Sequence, residues 1–176
     1  MKRISASVRE KAKKIRLLLL DVDGVLTDGR IILDDRGVET KQFHVRDGQG
    51  IALLMRAGVE VGFITGRSSK VVSYRAKELG LRLVQQGVQD KLGAYARIKA
   101  KARLSDEQIA YVGDDIIDLP ILRQAGLAVA VRDGWSGLAA FVDFVTKAGG
   151  GNGAVREVAD LLLQAQRKWP DLVQRK

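Results

Sequence analysis

Two aspartates, Asp21 and Asp23, follow the apolar run Leu17–Leu20 near the start of the chain. Side chains two residues apart in an extended chain point to the same side, so these carboxylates would repel each other unless a cation or a shared proton compensates their charge. A hard dication with oxygen ligands is the natural partner for such a pair. The structural alternative is that both aspartates cap a turn beside Gly24, as aspartate often does next to glycine.

A second acidic cluster follows the apolar run 109–112. Asp114 and Asp115 come directly after Gly113, and Asp118 lies one helical turn later. Because the carboxyl ends of two strands can meet at one crevice of an open parallel sheet, the two clusters together predict a site suited to Mg²⁺. For Asp115, capping a helix N-terminus is a further role alongside this one.

A third group of residues has the chemistry of phosphate binding. Thr65, Gly66 and Arg67 follow an apolar run and offer a hydroxyl, a backbone amide beside glycine and a guanidinium. A helix that begins near Ser69 would direct its free N–H groups toward the same anion. Lys91 opens a later predicted helix, where the helix dipole disfavours a cation, so we expect a nearby anion to hold it there. A lone lysine is otherwise an ordinary surface residue.

In this order, the motifs D-x-D-x-V, T-G-R, K and G-D-D-x-x-D resemble those of the haloacid dehalogenase superfamily of phosphohydrolases. Longer segments resemble one family within it, the 3-deoxy-D-manno-octulosonate 8-phosphate phosphatases. The resemblance covers roughly residues 15–166 and is carried by FHVRDGQG at 43–50, ITGR at 64–67, YVGDD at 111–115 and GGGNGAVRE at 149–157.

The resemblance implies a role for each catalytic residue. Asp21 would be the nucleophile that attacks phosphorus and becomes an aspartyl phosphate. Asp23 would protonate the leaving oxygen and then activate water. In the superfamily, an aspartate at this second position is the mark of a phosphatase. Mg²⁺ would be held by the Asp21 carboxylate, the main-chain carbonyl of Asp23 and Asp114, while Thr65 and Lys91 would hold the phosphoryl oxygens.

The resemblance also suggests residues around this centre. Asp115 and Asp118 would stand beside the metal site, with Asp115 close to the metal-bound waters or to Lys91. Because the substrate of the family carries a carboxylate besides its phosphate, further cations are expected near the mouth of the site. The candidates for binding the substrate are Gly66, Arg67, Arg75 and, from the side of the hairpin described below, Arg46.

The function implied by the resemblance is Mg²⁺-dependent hydrolysis of 3-deoxy-D-manno-octulosonate 8-phosphate in lipopolysaccharide sugar synthesis. One alternative is a phosphatase of a nine-carbon 2-keto-3-deoxy sugar acid 9-phosphate, which would use the same chemistry. Another is a non-catalytic binding protein on the same fold. The complete set of catalytic residues argues against the latter, because a protein that only binds has no need of every catalytic group.

The elements that position these residues alternate between strand and helix, which predicts an α/β fold with a doubly wound, Rossmann-like parallel sheet and no large cap domain. The chain is expected to be a single domain, 1–176, with basic tails at about 1–14 and 167–176. Strands are predicted at 16–20, 59–64, 82–84, 109–112, 127–131 and 143–145, and helices at 50–56, 70–79, 91–102, 116–124 and 153–166.

One segment departs from the alternation: residues 30–33, a turn at 34–37 and residues 38–45 predict an inserted β-hairpin. Its apolar side chains exceed what a small sheet can cover, so we expect it to pack on another subunit. The resemblance implies a homotetramer in which a neighbour closes each pocket. His44 is expected to be structural, within the second hairpin strand. Gly134 and Trp135 depart from the pattern of the family and are expected to reshape a loop without touching the catalytic residues.

The composition bears on partners and location. The net charge of +9 is concentrated in the tails, since residues 1–16 carry seven basic residues and one glutamate, and the body 17–166 is neutral. With aromatic residues at only 5%, neither a stacking surface for nucleic acid nor nucleic acid binding is expected. The absence of cysteine excludes disulfides and thiolate metal sites. No apolar run is long enough to cross a bilayer, and the protein is expected to be cytoplasmic.

Overall fold

A six-stranded parallel sheet flanked by helices forms the centre of the protein in the computed structural model, which describes residues 4–169. In chain order the elements are α1 (Ala6–Lys14), β1 (Leu17–Leu20), β2 (Ile32–Leu33), β3 (Glu39–Thr40), α2 (Val45–Arg56), β4 (Glu60–Ile64), α3 (Lys70–Glu78), β5 (Leu83–Gln85), α4 (Lys91–Ala102), β6 (Ile109–Gly113), α5 (Leu119–Leu122), β7 (Leu127–Ala130), β8 (Phe144–Val145) and α6 (Ala154–Ala165). The strand order is β5-β4-β1-β6-β7-β8. The predicted doubly wound fold is confirmed.

The central strand β1 shows why this sequence forms a sheet that is buried on both faces. All four of its leucines are fully buried. Because successive side chains in a strand point to opposite faces, Leu18 and Leu20 join the core against α1, α2, α3 and α6. Leu17 and Leu19 join a second core against α4 and α5. An uninterrupted apolar strand is therefore the expected pattern in a parallel sheet.

The N-terminal basic segment contains a helix that the sequence analysis did not predict. Ser5 caps α1 by accepting a hydrogen bond from the Val8 N–H at 3.2 Å. Val8 and Ala12 are buried in the core that contains α6, while the lysines of α1 lie on its outer side. Lys11 pairs with Asp143 at 2.5 Å. Residues 1–3 and 170–176, which complete the predicted tails, lie outside the described residues.

The predicted hairpin is present but shorter than expected. β2 pairs with β3 in an antiparallel manner over only two residues each. The second hairpin strand was predicted to extend to Val45, but Val45 begins α2, five residues before the predicted helix start at 50. His44 therefore does not lie in a strand. It is the N-cap of α2, and its Nδ1 accepts a hydrogen bond from the Arg46 N–H at 3.2 Å.

Close packing of α2 on α6 explains why the helix starts early. Asp47 in the first turn of α2 is buried and accepts hydrogen bonds from the N–H groups of Gly153, at 3.2 Å, and Arg156, at 2.7 Å, so it caps α6 from outside that helix. A Cβ at Gly50 would lie 3.1 Å from the Cβ of Ala159. These tertiary contacts outweigh the local strand pattern of 38–45.

The remaining predicted elements are found with shifts of one or two residues, except for the helix predicted at 116–124. That segment is a 3₁₀ turn, Ile116–Asp118, followed by the short α5. Within residues 4–169, no helix has both the length and the apolar composition needed to cross a membrane.

Candidate active site

The strand order brings three of the predicted motifs to one edge of the sheet. β1 lies between β4 and β6, and Leu20 pairs with both Phe63 and Val112. The residues that follow these strands are therefore neighbours at the carboxyl edge, where ligands bind in open α/β sheets. The Asp21 N–H donates a hydrogen bond to the Val112 carbonyl at 3.0 Å, which continues the pairing past the end of β1.

Three carboxylates and one ammonium form the centre of this edge. Oxygens of Asp21, Asp114 and Asp118 lie within 4.8 Å of one another. The Lys91 Nζ lies 3.1 Å from Asp21 Oδ1 and 2.7 Å from Asp118 Oδ1. Asp21, Asp118 and Lys91 are all buried. With all four groups ionised, the cluster carries two more negative than positive charges.

Asp118 organises the cluster. Its Oδ1 accepts hydrogen bonds from Lys91 and from the hydroxyl of Tyr111, at 2.7 and 2.6 Å, and its Oδ2 accepts the N–H groups of Asp114 and Asp115, at 3.1 and 3.4 Å. Asp118 therefore fixes both the lysine and the loop that presents Asp114. The anion that was expected to hold Lys91 at the start of α4 is this carboxylate together with Asp21.

Asp115 lies at the start of the 3₁₀ turn Ile116–Asp118. Its side chain is exposed and accepts a hydrogen bond from the Ile116 N–H at 2.7 Å, as the cap of the 3₁₀ turn. Lys91 itself pairs with Asp21 and Asp118. The capping role considered for Asp115 from the sequence is therefore present in the structure, because the turn that follows needs an acceptor for its first N–H.

Burial and the crowding of like charges shift the pKa values of the cluster. Burial, reinforced by the nearby Asp118, raises the pKa of Asp21 to about 6, although Lys91 opposes the shift. Burial together with Asp21 and Asp118 raises the pKa of Asp114 to about 8. Burial alone would lower the pKa of Lys91, but the two adjacent carboxylates outweigh it and raise that pKa. The cluster thus needs additional positive charge, as protons or as a cation.

The donor set suits a magnesium ion. All three acidic residues supply carboxylate oxygens, which are the ligands preferred by hard dications. Among the described residues, no histidine belongs to this cluster. A dication would balance the two surplus negative charges and would replace the protons that the raised pKa values imply. Asp21 and Asp114 are the ligands that fit best, since Asp118 already accepts four hydrogen bonds from protein groups.

Glycine-rich turns hold the loops of the cluster together. A Cβ at Gly24 would lie 2.1 Å from Asp114 Oδ2, and one at Gly150 would lie 1.7 Å from the carbonyl oxygen of Gly24. Asp133 accepts a hydrogen bond from the Gly150 N–H at 2.8 Å. The GGGNG segment seen in the sequence therefore packs directly behind the loop that carries Asp21 and Asp23.

The Trp135 loop lies closer to the site than the sequence analysis expected. The N–H of Trp135 donates a hydrogen bond to the carbonyl of Asp114 at 2.7 Å. A Cβ at Gly134 would lie 2.6 Å from the same carbonyl oxygen. The expectation that this departure touches none of the catalytic residues is therefore wrong, although the hydrogen bond uses only the main chain of Trp135.

Thr65 follows β4 at the same edge and is buried. Its hydroxyl accepts a hydrogen bond from the Arg67 N–H at 3.3 Å, which shapes the turn through Gly66. The helix expected near Ser69 begins at Lys70 with Ser69 as its N-cap. The Ser69 N–H, however, donates to the side chain of Gln86 at 2.8 Å, so this N–H is already satisfied by the protein.

The sequence analysis missed Lys41, which lies beside Asp23, and Glu39, which pairs with Lys41. Lys41, from the segment after β3, forms an ion pair with Asp23 Oδ1 and lies 3.2 Å from a carboxylate oxygen of Glu39. Arg67, which the sequence analysis did name, lies 3.9 Å from Asp23 Oδ2 and 3.0 Å from Glu39. The sequence did contain a signal for Lys41. In the predicted strand 38–45, Lys41 shares a face with Phe43, and a charge on an apolar face needs a buried partner.

The structure does not bring Arg75 or Arg46 to the carboxylate cluster. Arg75 pairs with Glu78 at 2.8 Å, and its guanidinium lies 5.6 Å from the centre of the Phe43 ring. Arg46 is exposed in the first turn of α2, where it lines a groove of about 950 Å³ together with Arg132. Within the described residues, neither arginine contacts the carboxylate cluster of its own subunit.

Comparison with known proteins agrees with this geometry. A family model described as haloacid dehalogenase-like hydrolase matches residues 81–157. The 3-deoxy-D-manno-octulosonate 8-phosphate phosphatase of Escherichia coli is 49% identical over 165 residues, which cover 94% of this chain and 88% of that protein.

Solved structures give the same result. The Yersinia pestis enzyme of that name is 47% identical with a TM-score of 0.92, over 94% of this chain and 89% of that chain. The Moraxella catarrhalis enzyme, solved in complex with a magnesium ion, a phosphate ion and a KDO molecule, is 44% identical with a TM-score of 0.92, over 94% and 95% of the two chains.

Proposed function

This chain belongs to the haloacid dehalogenase-like hydrolases, within the family of 3-deoxy-D-manno-octulosonate 8-phosphate phosphatases, and from that premise we propose that it hydrolyses 3-deoxy-D-manno-octulosonate 8-phosphate. The observation that carries the proposal is the cluster of Asp21, Asp114 and Asp118 around Lys91 at the carboxyl edge of the sheet. The Moraxella catarrhalis relative, which binds magnesium, phosphate and the sugar acid, supports this choice of substrate.

The first chemical step is transfer of the phosphoryl group to Asp21. A carboxylate oxygen of Asp21 forms a bond to phosphorus while the bond from phosphorus to the sugar oxygen breaks. Asp23 donates a proton to that leaving oxygen, so the sugar acid departs as a neutral alcohol at this position. Such general acid assistance contributes about 10²–10⁴-fold to the rate.

The second step reverses the role of Asp23. A water molecule attacks the aspartyl phosphate, Asp23 accepts its proton, and the bond between phosphorus and the Asp21 oxygen breaks to give inorganic phosphate. The general acid of the first step is thus restored as an acid for the next turnover. Both roles require Asp23 to stay close to the reacting oxygen, because proton transfer needs hydrogen-bond contact.

The negative charges of the phosphate and of the carboxylates must be neutralised for these steps to occur. Asp21, Asp114 and the main-chain carbonyl of Asp23 would hold Mg²⁺, which would supply the positive charge that lets a phosphate dianion approach the carboxylates. Lys91 adds a fixed ammonium that Asp118 holds in place, and Thr65 offers a hydroxyl to a phosphoryl oxygen. Positioning and charge neutralisation are the main sources of catalysis in phosphoryl transfer.

We extend the proposal to assembly and location. The hairpin carries exposed apolar side chains, including Ile31, Leu33 and Val38, which supports a homotetramer in which a neighbouring subunit covers each site. A phosphatase acting in the synthesis of a lipopolysaccharide sugar would work in the cytoplasm. In such an assembly Arg46 or Arg75 could bind the substrate of a neighbour, although neither reaches the cluster of its own subunit.

The test is phosphate release with Mg²⁺ across eight- and nine-carbon sugar acid phosphates and simple sugar phosphates. The proposal expects strong preference for 3-deoxy-D-manno-octulosonate 8-phosphate. Preference for a nine-carbon acid would keep the chemistry and overturn the substrate. No release from any of these substrates by a folded protein would overturn the catalytic proposal altogether.

A further inference from the structure

Lys41 is a buried cation on an otherwise exposed hairpin. Its side chain is only 1% exposed, whereas its neighbours Thr40 and Gln42 are exposed. Lysine is almost never fully buried without a charged partner, because removing an ammonium from water is costly. The partners of Lys41 are Asp23, the residue assigned to proton transfer, and Glu39. Its burial therefore depends on the active-site loop.

Contacts with the body of the protein hold Glu39 and, through it, Lys41. One carboxylate oxygen of Glu39 accepts a hydrogen bond from Arg67 at 3.0 Å, and the other accepts one from the hydroxyl of Ser69, the N-cap of α3. The hairpin is thereby tied to the loop after β4. Lys41 is held between two carboxylates that belong to different segments, which fixes the position of its ammonium.

The two oxygens of Asp23 differ in what they contact. Oδ1 accepts the hydrogen bond of Lys41. Oδ2 lies 3.9 Å from the Arg67 Nε, which is too far for a hydrogen bond. With Oδ1 anchored, Oδ2 is the oxygen placed to exchange a proton with the leaving group and with water.

We propose that Lys41 is a positioning residue that orients Asp23 for proton transfer to the leaving oxygen. The inference rests on the proposed function, because it assumes that Asp23 is the general acid. It gives the hairpin a task within its own active site. The cation acts by fixing one carboxylate oxygen of Asp23, and it needs no contact with the substrate.

Leaving-group dependence tests this role. Lys41→Met keeps the length of the side chain and removes the ammonium. An alkyl phosphate such as the sugar acid phosphate requires protonation of its leaving oxygen, whereas p-nitrophenyl phosphate has a leaving group that departs without it. The parameter to compare is kcat/KM, because it reports the steps up to formation of the aspartyl phosphate and is not affected by its later hydrolysis.

The expected result is selective. The kcat/KM of Lys41→Met for the sugar acid phosphate should fall by about 10²-fold, with a much smaller loss for p-nitrophenyl phosphate. Lys41→Arg, which keeps the charge, should recover part of the loss for the sugar acid phosphate. An equal loss on both substrates would overturn the proposal, since a merely structural lysine would not discriminate between leaving groups.

Two further variants keep the test decisive. If Lys41→Met does not fold, because Asp23 and Glu39 are left facing each other, the double variant Lys41→Met with Glu39→Gln removes one of these charges and takes its place. Lys13→Met is the matched control, since Lys13 also pairs with a carboxylate, Glu10 at 2.5 Å, but lies on α1. It should leave both kcat/KM values unchanged.

The lack of cysteine permits a chemical rescue. In Lys41→Cys, the new thiol is the only one in the chain, and alkylation with 2-bromoethylamine in denaturant rebuilds an ammonium of nearly the same reach. After refolding, the alkylated protein should regain the preference for the sugar acid phosphate over p-nitrophenyl phosphate. Wild-type protein taken through the same cycle is the control, and recovery of that control without recovery of the alkylated variant would count against Lys41.

These outcomes separate the failure of the inference from the failure of the proposed function. The proposed function fails if the wild type does not hydrolyse 3-deoxy-D-manno-octulosonate 8-phosphate. In that case the role of Lys41 is tested with whichever alkyl phosphate the wild type hydrolyses. The measured quantity is the ratio of kcat/KM for that alkyl phosphate to kcat/KM for p-nitrophenyl phosphate. The inference fails if this ratio is unchanged in the Lys41 variants, or if alkylation of Lys41→Cys does not restore it while the control recovers.

Discussion

At the scale of single residues, the proposed nucleophile, Asp21, belongs to a cluster of buried and half-buried carboxylates. Asp21 lies beside Asp114 and Asp118, and its pKa is raised by burial first and then by the neighbouring charge of Asp118. A substitution that removes this charge should therefore separate catalysis from stability. It should abolish the reaction and, in the absence of metal, leave the fold at least as stable as that of the wild type.

We expect Asp21→Asn to lose at least about 10³-fold in kcat, because an amide has the same shape but is a poor nucleophile. Its melting temperature in excess chelator should equal or exceed that of the wild type, and the increase that Mg²⁺ produces in the wild type should be lost. Phosphate release and thermal unfolding measure the two effects. Glu107→Gln is the control, since Glu107 is an exposed carboxylate before the start of β6, at the opposite end of the strand.

Acidity should control metal binding through the same carboxylates. The pKa values of about 6 for Asp21 and about 8 for Asp114 lie above the ordinary 3.8, so the metal-free folded state holds protons more tightly than the unfolded chain. Their contribution to the stability of the metal-free protein is full below pH 3.8 and is lost as the pH rises through the folded values. Protons and Mg²⁺ compete for these oxygens.

The affinity for Mg²⁺ should therefore weaken as the pH falls from about 8 to about 6, and binding should release protons within this range. Titration calorimetry in buffers with different enthalpies of ionisation measures both quantities. An affinity that does not change with pH, together with no proton release, would contradict the cluster as the metal site. The same titration of Asp21→Asn should show a weaker affinity at every pH.

At the scale of elements, the active site depends on loops that approach one another more closely than side chains allow. The segment before α6 packs against the loop after β1 at Gly150, where a Cβ would lie 1.7 Å from the Gly24 carbonyl oxygen. Asp133 holds the same segment through the Gly150 N–H. The position of Asp21 and Asp23 therefore depends on a segment more than a hundred residues away in the sequence.

Gly150→Ala should destabilise the protein by about 1–3 kcal/mol, because the added methyl group forces two backbone segments apart. Since the displaced loop carries Asp21 and Asp23, which are proposed to hold Mg²⁺, the affinity for Mg²⁺ should fall as well. Chemical denaturation and metal titration measure the two effects. Asn152→Ala is the control from the same segment, where the side chain is exposed. Similar losses in both variants would show that the close approach at Gly150 is not the cause.

The elements also show which features the sequence could predict. The strand-end aspartates were found because each follows an apolar run directly, so local sequence carries the signal. Lys41 and Glu39 were missed because their partners, Asp23, Arg67 and Ser69, lie in other segments and the pairing exists only in the folded chain. The start of α2 was misplaced for the same reason, since the tertiary role of Asp47 as a cap for α6 overrides the strand pattern before it.

At the scale of the whole molecule, the hairpin leaves an apolar surface exposed. The chain has no large cap domain, and β2 and β3 pair over only two residues each, which is too short for a hairpin that is stable by itself in water. Within residues 4–169, the hairpin side chains Ile31, Leu33 and Val38 are at least 55% exposed. Apolar exposure of this extent on a small element is typical of a surface that another subunit covers.

The assembly that we propose predicts that charges on this surface separate the subunits. In the double variant Ile31→Glu with Leu33→Glu, the mass measured by light scattering should fall from that of a tetramer to that of a smaller species, because like charges would meet where apolar groups pack. Activity toward the sugar acid phosphate should fall with it, since each pocket would lose the surface that closes it. Phe141→Glu, which charges an exposed ring outside the hairpin, should preserve both mass and activity. A wild type that is monomeric at working concentration would refute the shared pocket, and a dissociated variant with full activity would show that the hairpin completes only its own site.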